Sequence, residues 1–145
     1  MSRAFVKEQD GVDAVEELPE RPVSENPNFV TPRGLALIDE EIEKLRRELA
    51  HAQHETDRAA IARASRDLRY WTQRRSTAQL VEPPKAPDKV AFGTKVSIKR
   101  ADGRSQTYSI VGEDEADLEK GYIAYTVPLA RALLGAGEGD EVPVP

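Results

Sequence analysis

Apolar positions between residues 31 and 81 follow a helical stride. Leu35, Ile38, Ile42, Leu45, Leu49 and Ala52 step by alternating threes and fours; Ile61, Ala64, Leu68, Trp71 and, past Arg75, Ala78 do the same. Such an a/d seam lets two helices pack knobs into holes. Thr31-Pro32 starts the first arm with a hydroxyl N-cap and a proline at the first helical position. His54-Glu55-Thr56-Asp57 is short and polar, with Thr56 or Asp57 able to cap the second arm. A connection this short makes the arms antiparallel. Trp71 is expected in the seam or against the module that follows, with Tyr70 half exposed. A plain alternative use of the hairpin is as an antiparallel dimerisation device.

Pro83-Pro84-Lys85-Ala86-Pro87 cannot continue a helix and marks a stiff boundary. From Asp88 the period changes to two. Lys89 to Phe92 reads as a short strand, and Lys95-Val96-Ser97-Ile98-Lys99 as a half-buried one. Asp102-Gly103 signals a hairpin turn, Thr107 to Val111 the returning strand, and Tyr122 to Thr126 a third. Pro128 opens a short helix over 129–134 that Gly135 ends, and one more strand is expected over 139–144. The fold class is α+β: an N-terminal antiparallel helical hairpin, then a small twisted β-sheet domain with one short helix. The expected organisation is an acidic, disordered tail over 1–30, the hairpin over 31–82, a proline-rich linker over 83–87 and the β domain over 88–145. Phe29-Val30, just before the Thr31 cap, is able to staple onto the first helix.

Charge refines this picture. The chain has a net charge of −5 over 145 residues, unevenly spread. Residues 1–30 hold three basic and seven acidic side chains, whereas residues 55–87 hold seven basic and four acidic ones. An acidic first arm facing an arginine-rich second arm is what the flanks of a coiled coil look like, and an acidic chain argues against a dedicated nucleic-acid binder. With no cysteine there is neither a disulfide framework nor a thiolate metal site. His51 and His54 sit near the hairpin tip, and two imidazoles alone do not make a metal site. No apolar run is long enough to span a membrane and no signal core opens the chain, so a cytoplasmic location is expected. There is no phosphate loop, no nucleophile motif and no histidine beside a carboxylate in the β module, so no enzyme constellation and no cofactor is expected. Glu113-Asp114-Glu115 and Asp117 lack the pattern of a calcium loop and read as a solvated acidic turn.

Phe92-Gly93, the following hairpin, the stretch Tyr108-Ser109-Ile110-Val111-Gly112-Glu113-Asp114-Glu115, and Pro128-Leu129-Ala130-Arg131-Ala132-Leu133-Leu134-Gly135 together resemble the C-terminal domain of the bacterial GreA/GreB transcript elongation factors. The resemblance covers about residues 31–144, and the first eight residues resemble a tail on some alphaproteobacterial GreB-like proteins. It implies an FK506-binding-protein-like β domain behind a coiled-coil finger, and RNA polymerase as partner. The β domain would grip the rim of the secondary channel while the finger reaches in. Nucleic acid would be met only through the elongation complex, and no membrane is involved. In the family an Asp and a Glu at the tip help hold a second, polymerase-bound Mg²⁺ that assists cleavage of backtracked RNA. By the same resemblance Tyr125, Thr126, Pro128 and Arg131 are the polymerase-binding candidates, and the factor carries no catalytic residue or metal of its own.

Three departures qualify that expectation. The family's G-D-x-x-E-N-x-x-Y tip is absent, leaving Glu55 and Asp57 as the acidic candidates on a finger about nine residues shorter per arm, or about 13 Å less reach. Ala124 and Thr126 stand where GreB-like proteins favour a serine and an acid. The family also continues into a further strand after the position of Pro145, so either a naturally shortened chain or an exposed sheet edge is expected. The leading expectation is a factor that occupies the secondary channel and regulates elongation with weak or no cleavage stimulation. Its rivals are a short-fingered, Rnk-like regulator that competes with the Gre factors, and, remotely, a prolyl isomerase or chaperone.

Overall fold

The computed structural model describes residues 18–144. The elements in order are β1 (Phe29–Val30), α1 (Pro32–His54), α2 (Arg58–Thr77), β2 (Gln79–Leu80), β3 (Lys95–Lys99), β4 (Ser105–Val111), β5 (Tyr122–Ala124) and α3 (Pro128–Leu133). Single turns of 3₁₀ helix over Glu113–Glu115 and Leu118–Lys120 join β4 to β5. The architecture is α+β. The described residues divide into two compact units: one holds residues 18–24 and 38–76, the other residues 25–37 and 77–144. The division falls inside α1 rather than at Thr31, because the first turn and a half of that helix is tied into the β-rich unit.

In the helical unit, Ile38, Ile42, Leu45 and Ala52 of α1 are buried, as the 3-4 stride requires. In α2, Ala62 and Ala64 are buried, whereas the expected seam positions Ile61 and Leu68 are only half-buried. The seam departs from expectation at its C-terminal end. Arg74 is 2% exposed, while Arg75 is exposed and bonds Asp39 at 2.7 Å. Among the described residues no buried side-chain nitrogen or oxygen lacks a hydrogen-bond partner, so the Arg74 guanidinium is satisfied.

The expected tail to residue 30 is corrected from Leu18 onward; residues 1–17 lie outside the described part. Arg21 places its guanidinium 4.0 Å over the Tyr70 ring and 5.8 Å from Trp71, and reaches Asp67 at 3.5 Å. Glu20 accepts a bond from Arg69 at 2.8 Å. A cation between two rings and a carboxylate fixes a segment that has no apolar period. Trp71 is accordingly half-buried, packed edge-on against Tyr70 at 5.2 Å, rather than closed in the seam.

In the β-rich unit the sheet order is β3-β4-β5, with β3-β4 antiparallel and β4-β5 parallel. Tyr108, Ile110, Ile123, Ala130 and Leu133 form its core. Phe29–Val30 is not a staple on the helix: it pairs in parallel with Gln79–Leu80, and Phe29 packs on Phe92 and Tyr125. Gly112 permits this, since a Cβ there would stand 2.2 Å from the Phe29 carbonyl oxygen. The strand expected over 139–144 does not form. Lys89 bridges Gly137 instead, and Val90 bonds both Gly135 and Ala136.

Candidate functional site

Two places carry the residues the sequence singled out: the hairpin tip and the turn from β5 into α3. At the tip, Thr56 N–H donates to Gln53 O at 3.2 Å and Asp57 N–H to Ala52 O at 2.9 Å. These paired bonds close the end of α1 around a left-handed residue, here Thr56 with φ 53°. Asp57, not Thr56, then caps α2: its Oδ1 accepts from Ala60 N–H at 3.1 Å. Glu55 is exposed in the turn, with His51 and His54 exposed nearby in sequence. Asp57 thus has one carboxylate oxygen turned onto backbone, and the pair does not form a chelating site. Among the described residues no group of three or more His, Cys, Asp or Glu is able to hold a metal ion. The tip therefore does not fit a divalent cation held by this chain.

The second place is built by α3. Ala130 and Leu133, three apart, are driven into the core at 0% and 2% exposure, which turns Pro128 and Arg131 to solvent. Pro128 is at the start of the helix and Val127, 37% exposed, precedes it. Arg131 has no ion pair among the described residues. Thr126 is half-buried in the turn. Tyr125 is set apart from these: its hydroxyl donates to Pro27 O at 2.5 Å and its ring packs on Phe29 and Phe92. The exposed surface is thus Val127, Pro128 and Arg131, flanked by the half-buried Thr126, with Tyr125 packed on Phe29 and Phe92.

Glu115 corrects the reading of an acidic solvated turn. It is 6% exposed. It accepts from Thr31 Oγ1 at 2.5 Å and from Arg33 at 2.8 Å. The bond to Glu115 holds the Arg33 pKa above its ordinary value, and the same guanidinium lies 4.3 Å over Tyr122. Thr31 Oγ1 also accepts from Gly34 N–H at 2.9 Å, so the N-cap of α1 and the buried carboxylate share one hydroxyl. Any Cβ at residue 34 would sit 2.7 Å from Glu115 Oε1. The cap was legible in Thr31-Pro32; its partner, far along the chain, left no local signal.

Residues 84–145 match the family described as "Transcription elongation factor, GreA/GreB, C-term". Transcription elongation factor GreB of Neisseria meningitidis serogroup A is 35% identical over 139 residues, covering 82% of this chain and 85% of that protein. Transcription elongation factor GreA of Paracoccus denitrificans is 34% identical over 134 residues, 79% of this chain and 86% of that one. The crystal structure of GreA factor homolog 1 of Thermus thermophilus overlaps 82% of this chain and 90% of its own, at 16% identity and a TM-score of 0.37. No helix among the described residues is long and apolar enough to cross a membrane.

Proposed function

The chain belongs to the GreA/GreB family of transcription elongation factors, and on that premise we propose that it binds RNA polymerase at the secondary channel and regulates elongation with little or no stimulation of transcript cleavage. In this reading it acts on the polymerase's chemistry and performs none of its own. The rim contact is assigned to Thr126, Pro128 and Arg131, with Tyr125 holding their turn in place. The observation that carries the proposal is the tip. A finger that shared a polymerase-bound cation would offer two convergent carboxylates, whereas here Asp57 caps a helix beside an exposed Glu55. Met by polymerase alone, the factor would fill the channel; met beside a Gre factor, it would compete for it.

The test is RNA cleavage in backtracked elongation complexes, with and without the protein and beside a cleavage-active Gre factor. The expected result is no added cleavage and suppression of the Gre factor's effect, with suppression lost in Arg131→Glu. Stimulated cleavage that disappears in Glu55→Ala/Asp57→Asn would show that the tip delivers a metal after all. No effect of either kind would remove polymerase from the account.

A further inference from the structure

The inner face of α3 is anchored in the core by Ala130 and Leu133, but its exposed N-terminal end has little local support. Val127, the residue before the helix, makes no side-chain cap bond, and the helix is only six residues long. The turn ahead of it has two backbone bonds, Tyr125 N–H to Val111 O at 2.9 Å and Val127 N–H to Ala124 O at 3.1 Å. The remaining support comes from 98 positions earlier. Pro27 O accepts the Tyr125 hydroxyl at 2.5 Å and the Phe29 N–H at 3.0 Å, so one carbonyl joins the approach to β1 with the turn. The rings of Phe29, Phe92 and Tyr125 close a triangle with centroid distances of 6.1, 5.4 and 5.7 Å. β1 is itself held without those rings. Gln79 N–H donates to Asn28 O at 2.8 Å and Val81 N–H to Val30 O at 2.9 Å. Asn28 also donates to Thr77 Oγ1 at 3.1 Å, and Val30 is buried. Residues 27–30 therefore form a fixed support for Tyr125, and they lie outside the family's C-terminal domain, which begins at residue 84.

We infer that residues 27–29 are a positioning element for the polymerase contact. Through Tyr125, the Pro27 carbonyl and the Phe29 ring set the direction in which Val127, Pro128 and Arg131 meet the partner. The inference rests on the rim contact proposed above and names what orients it. A patch that rocks is competent to bind for only part of the time, and its apparent affinity falls by that fraction. Tyr125 is held at both ends, its ring by Phe29 and Phe92 and its oxygen by Pro27, so the turn beginning at Thr126 starts from one direction. Arg131 N–H bonds Val127 O at 3.0 Å, which carries that direction into the first turn of α3. Holding the turn in its bound orientation before the partner arrives lowers the ordering cost of association. The hydroxyl bond lies at the surface, where it adds little to folding stability; its effect is on orientation. The C-terminal domain is thus completed as a binding module by a segment that precedes the hairpin.

The test uses the full chain and two variants that separate the bond from the ring. Tyr125→Phe deletes the hydroxyl and keeps the ring; Phe29→Leu keeps an apolar side chain in β1 and removes the ring contact. In ¹⁵N spectra Tyr125→Phe is expected to shift the Thr126, Val127 and Arg131 amides while the Ile110 and Ile123 amides and the thermal midpoint stay in place. Binding to core RNA polymerase is expected to weaken about three- to tenfold in each variant. Added to Arg131→Glu, which removes a direct contact, Tyr125→Phe should cost less than it does alone, because both act on one surface. Unmoved turn amides in Tyr125→Phe would overturn the inference, since the turn would then stand without Pro27. Wild-type affinity in both variants would overturn it equally, by showing that the partner orients the turn itself. Both results leave the rim contact intact provided that the wild-type chain binds and Arg131→Glu does not. A wild-type chain that does not bind polymerase would remove the rim contact and this inference together.

Discussion

Thr31 and Glu115, 84 residues apart, share a 2.5 Å hydrogen bond that joins a helix cap to a buried carboxylate. The Thr31 hydroxyl has one proton, given to Glu115, and a lone pair that takes the Gly34 N–H. Neither interaction leaves a buried polar group unmatched, and each fixes the rotamer the other needs. Thr31→Ala is expected to lose about 1 kcal/mol from the cap alone. Glu115→Ala should lose about 1–3 kcal/mol by stranding the hydroxyl and releasing Arg33. Because the two share one network, the double variant should lose about 1 kcal/mol less than the sum. Urea unfolding of the four proteins measures this, and strict additivity would mean that the bond contributes nothing.

Gly112→Ala is expected to be among the most damaging single changes in the β-rich unit. The new Cβ would lie 2.2 Å from a backbone oxygen of β1, and a backbone atom cannot swing aside as a side chain does. A loss of at least about 1–3 kcal/mol is expected, as for other overpacked sites. Thermal unfolding checks it, and an unchanged midpoint would show that β1 is free to withdraw from residue 112.

What the sequence revealed and concealed follows from range. The α1 seam was legible because Ile38, Ile42, Leu45 and Ala52 obey a local period that burial alone enforces. The hairpin turn at 102–103 was legible for the same reason, being fixed by neighbours. The place of Glu115 was not, since an acidic run looks alike whether one member meets a distant Thr31 or all are solvated. Arg21 was equally hidden: it holds the segment 18–24 through charge and ring faces, which have no period. Residues 139–144 show the converse, a period-two pattern that found no ladder, because Val90 bonds residues 135 and 136 instead. Glu55 and Asp57 lie in the turn between α1 and α2, and only the cap geometry shows that Asp57 already has structural work.

Acid should loosen the 18–24 segment. The bond from Arg69 lowers the Glu20 pKa below its ordinary value and raises that of Arg69. A depressed carboxyl favours the folded contact above the unfolded pKa, and that contribution is lost as pH falls through the folded one. Arg69 stays charged throughout, so within this pair Glu20 sets the window, which lies at and below the usual carboxylate range. Trp71 fluorescence is the natural readout, with Arg21 5.8 Å from its ring. The emission should change on acidification, and Glu20→Gln should show the acid-like spectrum at neutral pH. Identical titrations of the two proteins would separate Glu20 from the docking of Arg21.

Thr56 stores backbone strain. A β-branched residue at φ 53° is an outlier for which glycine or asparagine is the ordinary choice. Thr56→Gly should therefore stabilise the protein by about 1 kcal/mol despite the added freedom of the unfolded chain. Urea unfolding decides it, and a destabilised variant would show that the threonine side chain contributes more than its backbone costs.

The tip also permits a clean separation of structure from function at Asp57. Asparagine caps a helix about as well as aspartate, whereas alanine loses about 1 kcal/mol. Asp57→Asn should accordingly unfold at the wild-type midpoint, keeping an oxygen for the Ala60 N–H, and Asp57→Ala should unfold earlier. In the proposed channel-occupying role the charge itself is idle, so Asp57→Asn should suppress a competing Gre factor as well as the wild type does. Were Asp57→Asn stable yet defective, the carboxylate would be acting on something outside this chain. A polymerase-bound cation would then be the first candidate, since a hard divalent ion distinguishes a carboxylate from an amide where a helix N-terminus does not.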